Sequence, residues 1–200
     1  MKSPFDEARY KALLNGLEVT EIKLSEMLLD NEEFRYDSDF FQKTYLQSYK
    51  RLKELNSDYL DNLSAEIKSF GAYSLTNQVS YLESGVPFIR CVNIKNGAID
   101  FSNVLFINRE AHKLLWKSEV KPGMVLLTMS GSIGSCAVAM DTWEYPMNSN
   151  QDVAKISLQK GVNPYFVSAF LNTKYGQQQI NRFSVGSVQQ HIFLWQLKKK

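Results

Sequence analysis

Short β-rich runs separated by turn signals fill the chain after Gly71, and they constrain the fold more than any other feature of the sequence. Apolar and β-branched residues form the runs, and Gly, Asn and Pro stand between them. We predict strands at 88–92, 124–129, 137–140 and 153–158. One helix is predicted over 109–116, and another begins with the N-cap Asn163 and the first-position Pro164 and runs toward Phe183. This mixture predicts an α+β fold built on one mixed or antiparallel β-rich domain.

The N-terminal part predicts a helical segment that leads into this domain. Capping and alternation signals predict three short elements: a helix at 5–15 between Ser3-Pro4 and Gly16, a half-buried strand at 20–24, and a helix at 25–29. We place this lead-in at 1–61 and the β-rich domain at 62–200.

An apolar stripe at helical spacing begins near Ser38 and predicts a longer amphipathic helix over 38–67. Its members recur every three or four residues: Phe41, Tyr45, Tyr49, Leu52, Leu55, Tyr59, Leu63 and Ile67. The polar run at 56–58 is a candidate interruption. We expect the stripe to pack on its own domain, although a docking helix for a partner protein would show the same pattern.

Charge is unevenly distributed along the chain, although the net charge is only +2. Residues 1–66 carry 14 acidic and nine basic side chains, whereas residues 67–200 carry seven acidic and 14 basic ones. A basic domain suits a polyanionic partner, because phosphate neutralisation with counterion release supplies most non-specific affinity for nucleic acid. An ordinary solvated surface would explain the same charge.

The sequence lacks the features of membrane-spanning, secreted and zinc-binding proteins. It has no run of about 18 apolar residues and no apolar segment typical of a signal peptide, so we expect a cytoplasmic protein. Cys91 and Cys136 lie far apart without a CxxC pair, which favours small core residues over a disulfide or a zinc site. His112 and His191 are interpreted as surface or capping residues. Neither a cofactor nor a metal ion is expected.

Motifs that indicate catalysis are scarce. The sequence has no GxxxxGK[ST] phosphate loop, GxGxxG, HExxH or GxSxG motif. Many nucleases use an acid-x-Lys triplet to hold Mg²⁺ and orient a water molecule, and three such triplets occur: Glu21-Ile22-Lys23, Glu66-Ile67-Lys68 and Glu119-Val120-Lys121. About two are expected by chance from this composition. We therefore predict a non-catalytic protein and keep a Mg²⁺-dependent endonuclease as the weaker alternative.

The loops of the basic domain carry side chains that suit DNA. Asn and Gln can pair bidentately with adenine, Arg and Lys with guanine, and Ser with phosphate or with either base. We predict the following DNA contacts: Arg90, Asn93, Lys95, Asn96, Ser130, Ser132, Asn148, Asn150, Gln151, Arg182, Ser187, Gln189 and Gln190. For each residue taken alone, a solvated loop is the favoured interpretation.

The order of several short motifs over residues 62–197 resembles the target-recognition domain of type I restriction-modification specificity subunits. The matching pieces are Gly85–Arg90, Val92–Gly97 with Ile99-Asp100, Lys121–Gly123, Met129–Gly134, Phe170–Asn172 and Gly186–Ile192. Gly16–Val19 and Phe34–Ser38 are similar to the segment that precedes the specificity domain of type IIG restriction enzymes. Met124 departs from the family pattern, which usually has an acid after the Pro-Gly turn.

This resemblance implies a specificity module that reads part of a double-stranded DNA target. It also implies two partners, a methyltransferase (modification) subunit and a restriction subunit or domain, and no membrane partner. Full type I specificity subunits carry two recognition domains, whereas the resemblance here covers one, and a homodimer is left open. The main alternative is a protein-interaction adaptor that does not bind DNA.

Overall fold

The computed structural model describes residues 5–28, 31, 34–70, 79–95, 97–186 and 190–198. Its helices are α1 (Glu7–Leu14), α2 (Leu24–Leu28), α3 (Lys43–Glu54), α4 (Leu60–Leu63), α5 (Arg109–Leu114), α6 (Pro164–Asn172), α7 (Lys174–Phe183) and α8 (Leu194–Leu197). Its strands are β1 (Ser64–Lys68), β2 (Val86–Ile89), β3 (Ile94–Lys95), β4 (Ala98–Ile99), β5 (Leu105–Ile107), β6 (Glu119–Val120), β7 (Val125–Thr128), β8 (Cys136–Val138), β9 (Met147–Ser149) and β10 (Val153–Leu158). The predicted α+β class is confirmed. Within these ranges, no helix combines the length and apolar character needed to cross a membrane.

The strands form two four-stranded sheets and one small hairpin. The first sheet has the order β1-β10-β7-β8, and all its neighbours are antiparallel. The second has the order β5-β2-β9-β6, in which β2 and β9 run parallel and the other pairs are antiparallel. Strands β3 and β4 pair with each other as the hairpin.

The first sheet is covered on both faces, and its side chains alternate between two apolar clusters. Leu127 and Ile156 face a cluster that also contains residues of α6 and α7. Leu126 and Val153 face a second cluster, which contains Ile89 of the second sheet. Strand β10 was predicted with its observed bounds because four of its six residues are apolar, although Lys155 and Ser157 interrupt the run.

Local capping signals predicted the start of α6 correctly. The Asn163 side-chain Oδ1 accepts hydrogen bonds from the backbone N–H groups of Tyr165 (2.9 Å) and Phe166 (3.2 Å), and Pro164 occupies the first helical position. The single helix predicted to run toward Phe183 is instead two helices, because the chain is extended at Thr173 between α6 and α7.

The predicted strand at 20–24 is wrong. The described chain has no strand there, and α2 begins at Leu24. Alternating polarity is not enough for a strand when no neighbouring strand supplies hydrogen-bond partners. The predicted helix at 5–15 is confirmed as α1, although its N-cap is Asp6, whose carboxylate accepts from the Arg9 N–H at 3.0 Å. The predicted cap, Ser3, lies outside the described residues.

The predicted continuous helix over 38–67 is also wrong. Helix α3 ends at Glu54, the chain turns at Asn56 with a left-handed φ of 52°, and a short α4 leads into β1. Ile67 therefore lies in a strand, where it is paired with Ile156. The interruption falls within the polar run predicted as a candidate break, and the turn suits an asparagine because Asn tolerates positive φ.

Helix α3 packs on α7, but the apolar stripe is only partly covered, because Leu55 and Tyr59 are exposed. The Gln179 side chain on α7 donates to the Ser48 hydroxyl at 3.2 Å, and both residues are buried. The Arg182 guanidinium on α7 also lies over the Tyr49 ring, with 5.2 Å to the ring centroid.

Phe40 anchors the lead-in to α7. Its side chain is fully buried and meets the Phe183 ring edge-on at 5.0 Å. The guanidinium groups of Arg182 and Arg35 lie 4.3 Å and 5.1 Å from its ring centroid. Arg35 also donates to the Ser184 carbonyl at 3.1 Å, and its hydrogen bonds to Asp37 lower the pKa of that carboxyl group. Together these contacts join the lead-in to the same apolar cluster that contains the first sheet.

The two cysteines are free. Cys136 is fully buried in the apolar cluster that contains residues of α6 and α7, which we call the main apolar cluster, and burial raises the pKa of its thiol. Cys91 is half-buried against the second cluster, and burial raises its pKa as well. The prediction of a core residue is therefore confirmed for Cys136, whereas Cys91 lies at the edge of the core.

Candidate nucleic-acid interface

Two of the predicted contact segments meet because β2 and β9 run parallel. Ile89 is paired with Ser149, so both strands end at the same edge of the second sheet. Arg90 follows one strand and Asn150 follows the other, and the Asn150 N–H donates to the Ile89 carbonyl at 2.9 Å. These two residues are 60 positions apart in sequence, yet the sheet brings their backbones together.

The first sheet adds a third segment at this edge. Val153 is paired with Thr128 in the antiparallel ladder, so the residues after β7 lie beside those before β10. The Met129 N–H donates to the Asp152 carbonyl at 2.7 Å, and the Cys91 thiol donates to the same carbonyl at 3.1 Å. The segment after β2, the turn after β7 and the 150–152 loop are therefore in contact.

The C-terminal segment joins the same edge. The Ile192 N–H donates to the Met129 carbonyl at 2.9 Å, and His191 forms β-bridges with Ser130 and Val185. Gln190, which is exposed, therefore lies next to the turn after β7. We call the predicted contacts on these four segments the strand-end cluster: Arg90, Ser130, Ser132, Asn150, Gln151 and Gln190.

The turn at 130–134 has a defined backbone. Gly131 and Gly134 adopt left-handed φ values of 68° and 80°, which glycine reaches without steric cost. The Gly134 N–H donates to the Thr128 carbonyl at 2.8 Å, and the Thr128 hydroxyl donates to the Ser132 carbonyl. The turn therefore holds its shape through its own hydrogen bonds, with Ser132 exposed and Ser130 half-buried.

Three residues of the strand-end cluster have polar atoms that the protein does not use. Arg90 Nε, Asn150 Oδ1 and Gln151 Oε1 are buried and have no hydrogen-bond partner among the residues that the structure describes. Buried polar groups in native proteins are usually paired, so such atoms need an explanation. Because these atoms are buried, a ligand could reach them only if their side chains turned outward.

Two predicted contacts point inward instead. Asn93 is 1% exposed; its Oδ1 accepts from the Arg90 N–H at 3.0 Å, and its Nδ2 donates to the Asp100 carbonyl at 3.1 Å. Asn148 is fully buried in β9 rather than in a loop; its Nδ2 donates to the Leu115 carbonyl at 3.1 Å. Both amides bind the chain itself, so these side chains position neighbouring segments.

The remaining predicted contacts lie outside the cluster. Arg182 is buried against Phe40 and donates to its carbonyl at 3.1 Å. Lys95 lies on the β3–β4 hairpin and is ion-paired with Asp100 at 3.5 Å. Hydrogen bonds from Ser102, together with Lys95, lower the pKa of Asp100. The predicted contacts outside the described residues are Asn96, Ser187 and Gln189.

Two residues of this region were missed by sequence reasoning. His191 was interpreted as a surface or capping residue, yet its backbone connects the C-terminal segment to the turn after β7. Lys155 lies in the middle of β10 and is fully buried. A lysine inside an apolar strand is the signal that would have identified it, because lysine is rarely buried without a partner.

The acid-x-Lys triplets do not gather around a common point in the described chain. No group of three or more His, Cys, Asp or Glu side chains that could hold a metal ion occurs among the described residues. In two triplets the lysine is ion-paired with its own acid: Lys68 with Glu66 at 2.7 Å, and Lys121 with Glu119 at 3.6 Å.

Comparison with known proteins identifies one curated relative. The type I restriction enzyme EcoBI specificity subunit of Escherichia coli is 25% identical over 141 residues, which cover 68% of this chain. The chain is similar to a type I specificity subunit. The resemblance predicted from the sequence motifs is thereby confirmed. This chain spans 29% of the length of that specificity subunit. No family model matches this chain.

Solved structures of type I systems give similar matches at lower identity. The S subunit of a type I restriction-modification system from M. genitalium is 16% identical, with a TM-score of 0.45 over 72% of this chain and 32% of that one. A structure of a type I R-M system is 14% identical, with a TM-score of 0.46 over 78% of this chain and 38% of that one. The HsdS subunit from Thermoanaerobacter tengcongensis is 14% identical, with a TM-score of 0.38 over 78% of this chain and 40% of that one.

Proposed function

We propose that this chain is a non-catalytic specificity module that binds double-stranded DNA through the strand-end cluster and reads part of a target sequence. The observation that carries the proposal is the meeting of four segments that bring Arg90, Asn150, Gln151 and Gln190 to one edge of the fold. Guanidinium and carboxamide groups are the side chains that discriminate bases in the major groove. The relative's name, specificity subunit, supports the same role.

The proposed partners are a methyltransferase subunit and a restriction subunit or domain, which would act on the DNA that this chain selects. The basic side chains of residues 67–200 would bind phosphates and set the register of the module on the duplex. A single strand-end cluster contacts one short segment of duplex, whereas a homodimer would present two. Light scattering of the chain with and without DNA distinguishes these two arrangements.

The first prediction is that the chain binds duplex DNA with a steep dependence on salt. Fluorescence anisotropy of a labelled duplex across a salt series measures this dependence. For a protein that neutralises several phosphates, the logarithm of the binding constant falls linearly with the logarithm of the salt concentration, with a slope of about −0.9 per phosphate contacted. Enrichment of a randomised duplex pool by the full chain, alone and with the methyltransferase subunit, then supplies a matched duplex.

The second prediction separates base reading from phosphate binding. Asn150→Ala and Gln190→Ala are each expected to reduce the preference for the matched duplex by about 1–3 kcal/mol, because a base contact is lost. Lys95→Ala is expected to weaken matched and random duplexes alike. Gln47 is an exposed glutamine on α3, so Gln47→Ala is the matched control and should change the affinity for neither duplex. Equal losses on both duplexes for every cluster variant would contradict the specificity role.

A protein-interaction adaptor is the second candidate, and one observation favours it. A largely apolar cleft of about 460 Å³ opens between α3–α4 and α6–α7, and Leu52, Phe166 and Phe170 line it. An adaptor would show no salt-dependent DNA binding in the anisotropy series. Cleavage of plasmid DNA by the chain with Mg²⁺ would instead revive the endonuclease alternative.

A further inference from the structure

The Lys155 side chain lies beneath the strand-end cluster. Lys155 is in the middle of β10, paired with Lys68 on β1 and with Leu126 on β7, and it is fully buried. Its Nζ donates to the Ser149 hydroxyl at 2.8 Å and to the Val153 carbonyl at 3.0 Å. Burying an amine is costly unless its hydrogen bonds are satisfied, so its position requires these acceptors.

The two acceptors stand on either side of the 150–152 loop. Ser149 is the last residue of β9, and Val153 is the first residue of β10. One amine therefore connects the residue before the loop with the residue after it. Within the described chain, Asn150 Oδ1 and Gln151 Oε1 have no partner. Inside the loop, the Asn150 Nδ2 donates to Asp152 Oδ2 and the Val153 N–H donates to the Asn150 carbonyl, both at 3.4 Å. These are long hydrogen bonds, so the shorter bonds of the Lys155 amine are the stronger link across the base of the loop.

We propose that Lys155 is a positioning residue for DNA reading: its amine closes the base of the 150–152 loop and so sets where Asn150 and Gln151 lie. This inference rests on the proposed function, and it adds a residue that cannot itself reach DNA because it is buried.

The charge state of Lys155 makes this role dependent on pH. The pKa of Lys155 is lowered to about 7, chiefly by burial and also by the nearby Lys68 charge, while the Cys91 thiol partly opposes the shift. These are the groups that face the amine from β1 and from the segment after β2, and Lys68 is itself paired with Glu66 at 2.7 Å. A neutral amine satisfies both acceptors without a buried charge, whereas an ammonium is disfavoured by burial and gains free energy by moving toward water, away from Ser149 and Val153. Acidification below about 7 is therefore expected to loosen the loop.

The effect on folding has a defined sign. In the unfolded chain the amine keeps its proton up to its ordinary pKa of 10.5, whereas in the folded chain it loses the proton near 7. The unfolded state thus binds more protons between these values, and stability from this group rises with pH across that window. The wild type should gain stability relative to Lys155→Met as the pH rises from about 7 toward 10.5.

The test compares the wild type with Lys155→Met, using the duplex enriched from the randomised pool. The ratio of affinities for the enriched and random duplexes is measured from about pH 6 to pH 8.5, on both sides of the expected titration. We expect the wild-type ratio to fall on acidification. Lys155→Met should show a ratio reduced about tenfold at the upper pH, equivalent to about 1.4 kcal/mol, and little change with pH.

Two further variants separate positioning from a general loss of structure. Lys68→Met is the matched control: it removes a lysine from the adjacent strand, should keep the ratio at the upper pH, and should move the midpoint of the pH profile upward because it removes a charge that lowers the pKa of Lys155. Ser149→Ala removes one acceptor without changing charge and should reduce the ratio even if Lys155→Met fails to fold.

Amide hydrogen exchange at 150–152 tests the closure of the loop without DNA, and we expect faster exchange in Lys155→Met. A folded Lys155→Met with the wild-type ratio at every pH overturns the proposal, as does a Ser149→Ala variant with an unchanged ratio. If the wild type binds no duplex at all, the proposed function fails, and exchange alone decides whether Lys155 holds the loop. Unchanged exchange in that case rejects the loop-closing role as well.

Discussion

Phe40→Ala is expected to lower the free energy of unfolding by about 3–5 kcal/mol, the range found for removing a buried phenylalanine ring. The ring is fully buried, packs edge-on against Phe183, and lies under the guanidinium groups of Arg182 and Arg35. The substitution leaves a cavity and removes the surface on which both cations stack. Denaturant unfolding followed by circular dichroism measures the loss.

Phe34→Ala is the control in the same segment, because its side chain is 68% exposed and the substitution should cost less than about 0.5 kcal/mol. The form of the Phe40→Ala transition carries further information. A single shifted transition means that the lead-in and the β-rich domain unfold together, whereas two transitions would support separate units at 1–61 and 62–200. A Phe40→Ala protein as stable as Phe34→Ala would contradict the anchoring role of the ring.

Gly176→Ala is expected to destabilise the fold by about 3 kcal/mol, the upper part of the range for overpacked interiors. Gly176 is in the first turn of α7, where a Cβ atom would lie 2.5 Å from the Phe170 carbonyl oxygen and 2.6 Å from the Leu171 Cα atom. Both are backbone atoms of α6, so no side-chain rotation relieves the contact. The two helices must move apart, and α7 carries Ile180 and Phe183 of the main apolar cluster.

Thermal melting of Gly176→Ala alongside Lys174→Ala measures this effect. Lys174 is exposed in the same turn, so its replacement by alanine should leave the midpoint nearly unchanged. Similar midpoints for the two variants would mean that α6 and α7 can separate at little cost and that the close helix contact does not limit stability.

Sequence reasoning succeeded where a local rule decides the structure. The cap at Asn163 and the mostly apolar residues of β10 are local signals, and both elements were predicted correctly. Strands of two or three residues, such as β6 and β9, are too short to show periodicity and were missed. The strand predicted at 20–24 failed because strand formation depends on a partner elsewhere in the chain.

The candidate site was predictable as a set of segments but not as a surface. The resemblance and the residue types selected the segments that meet at the strand ends, yet which side chains are available there depends on long-range pairing. Asn148 was read as a loop residue, although β9 buries it and its amide binds the Leu115 carbonyl. Lys155 was passed over, because nothing in the sequence shows that its amine reaches Ser149 and Val153.

The parallel pairing of β2 with β9 has a consequence for how this module can change. The chain leaves the edge at Arg90, touches it again at the turn after β7, and returns to it at Asn150, so the segment between Arg90 and that turn is an excursion away from the edge. Insertions or deletions on the far side of that excursion, for instance at Gly97 in the hairpin, leave its two ends where they are. Length can therefore vary there, and new surfaces can be added, while Arg90 and Asn150 keep their spacing.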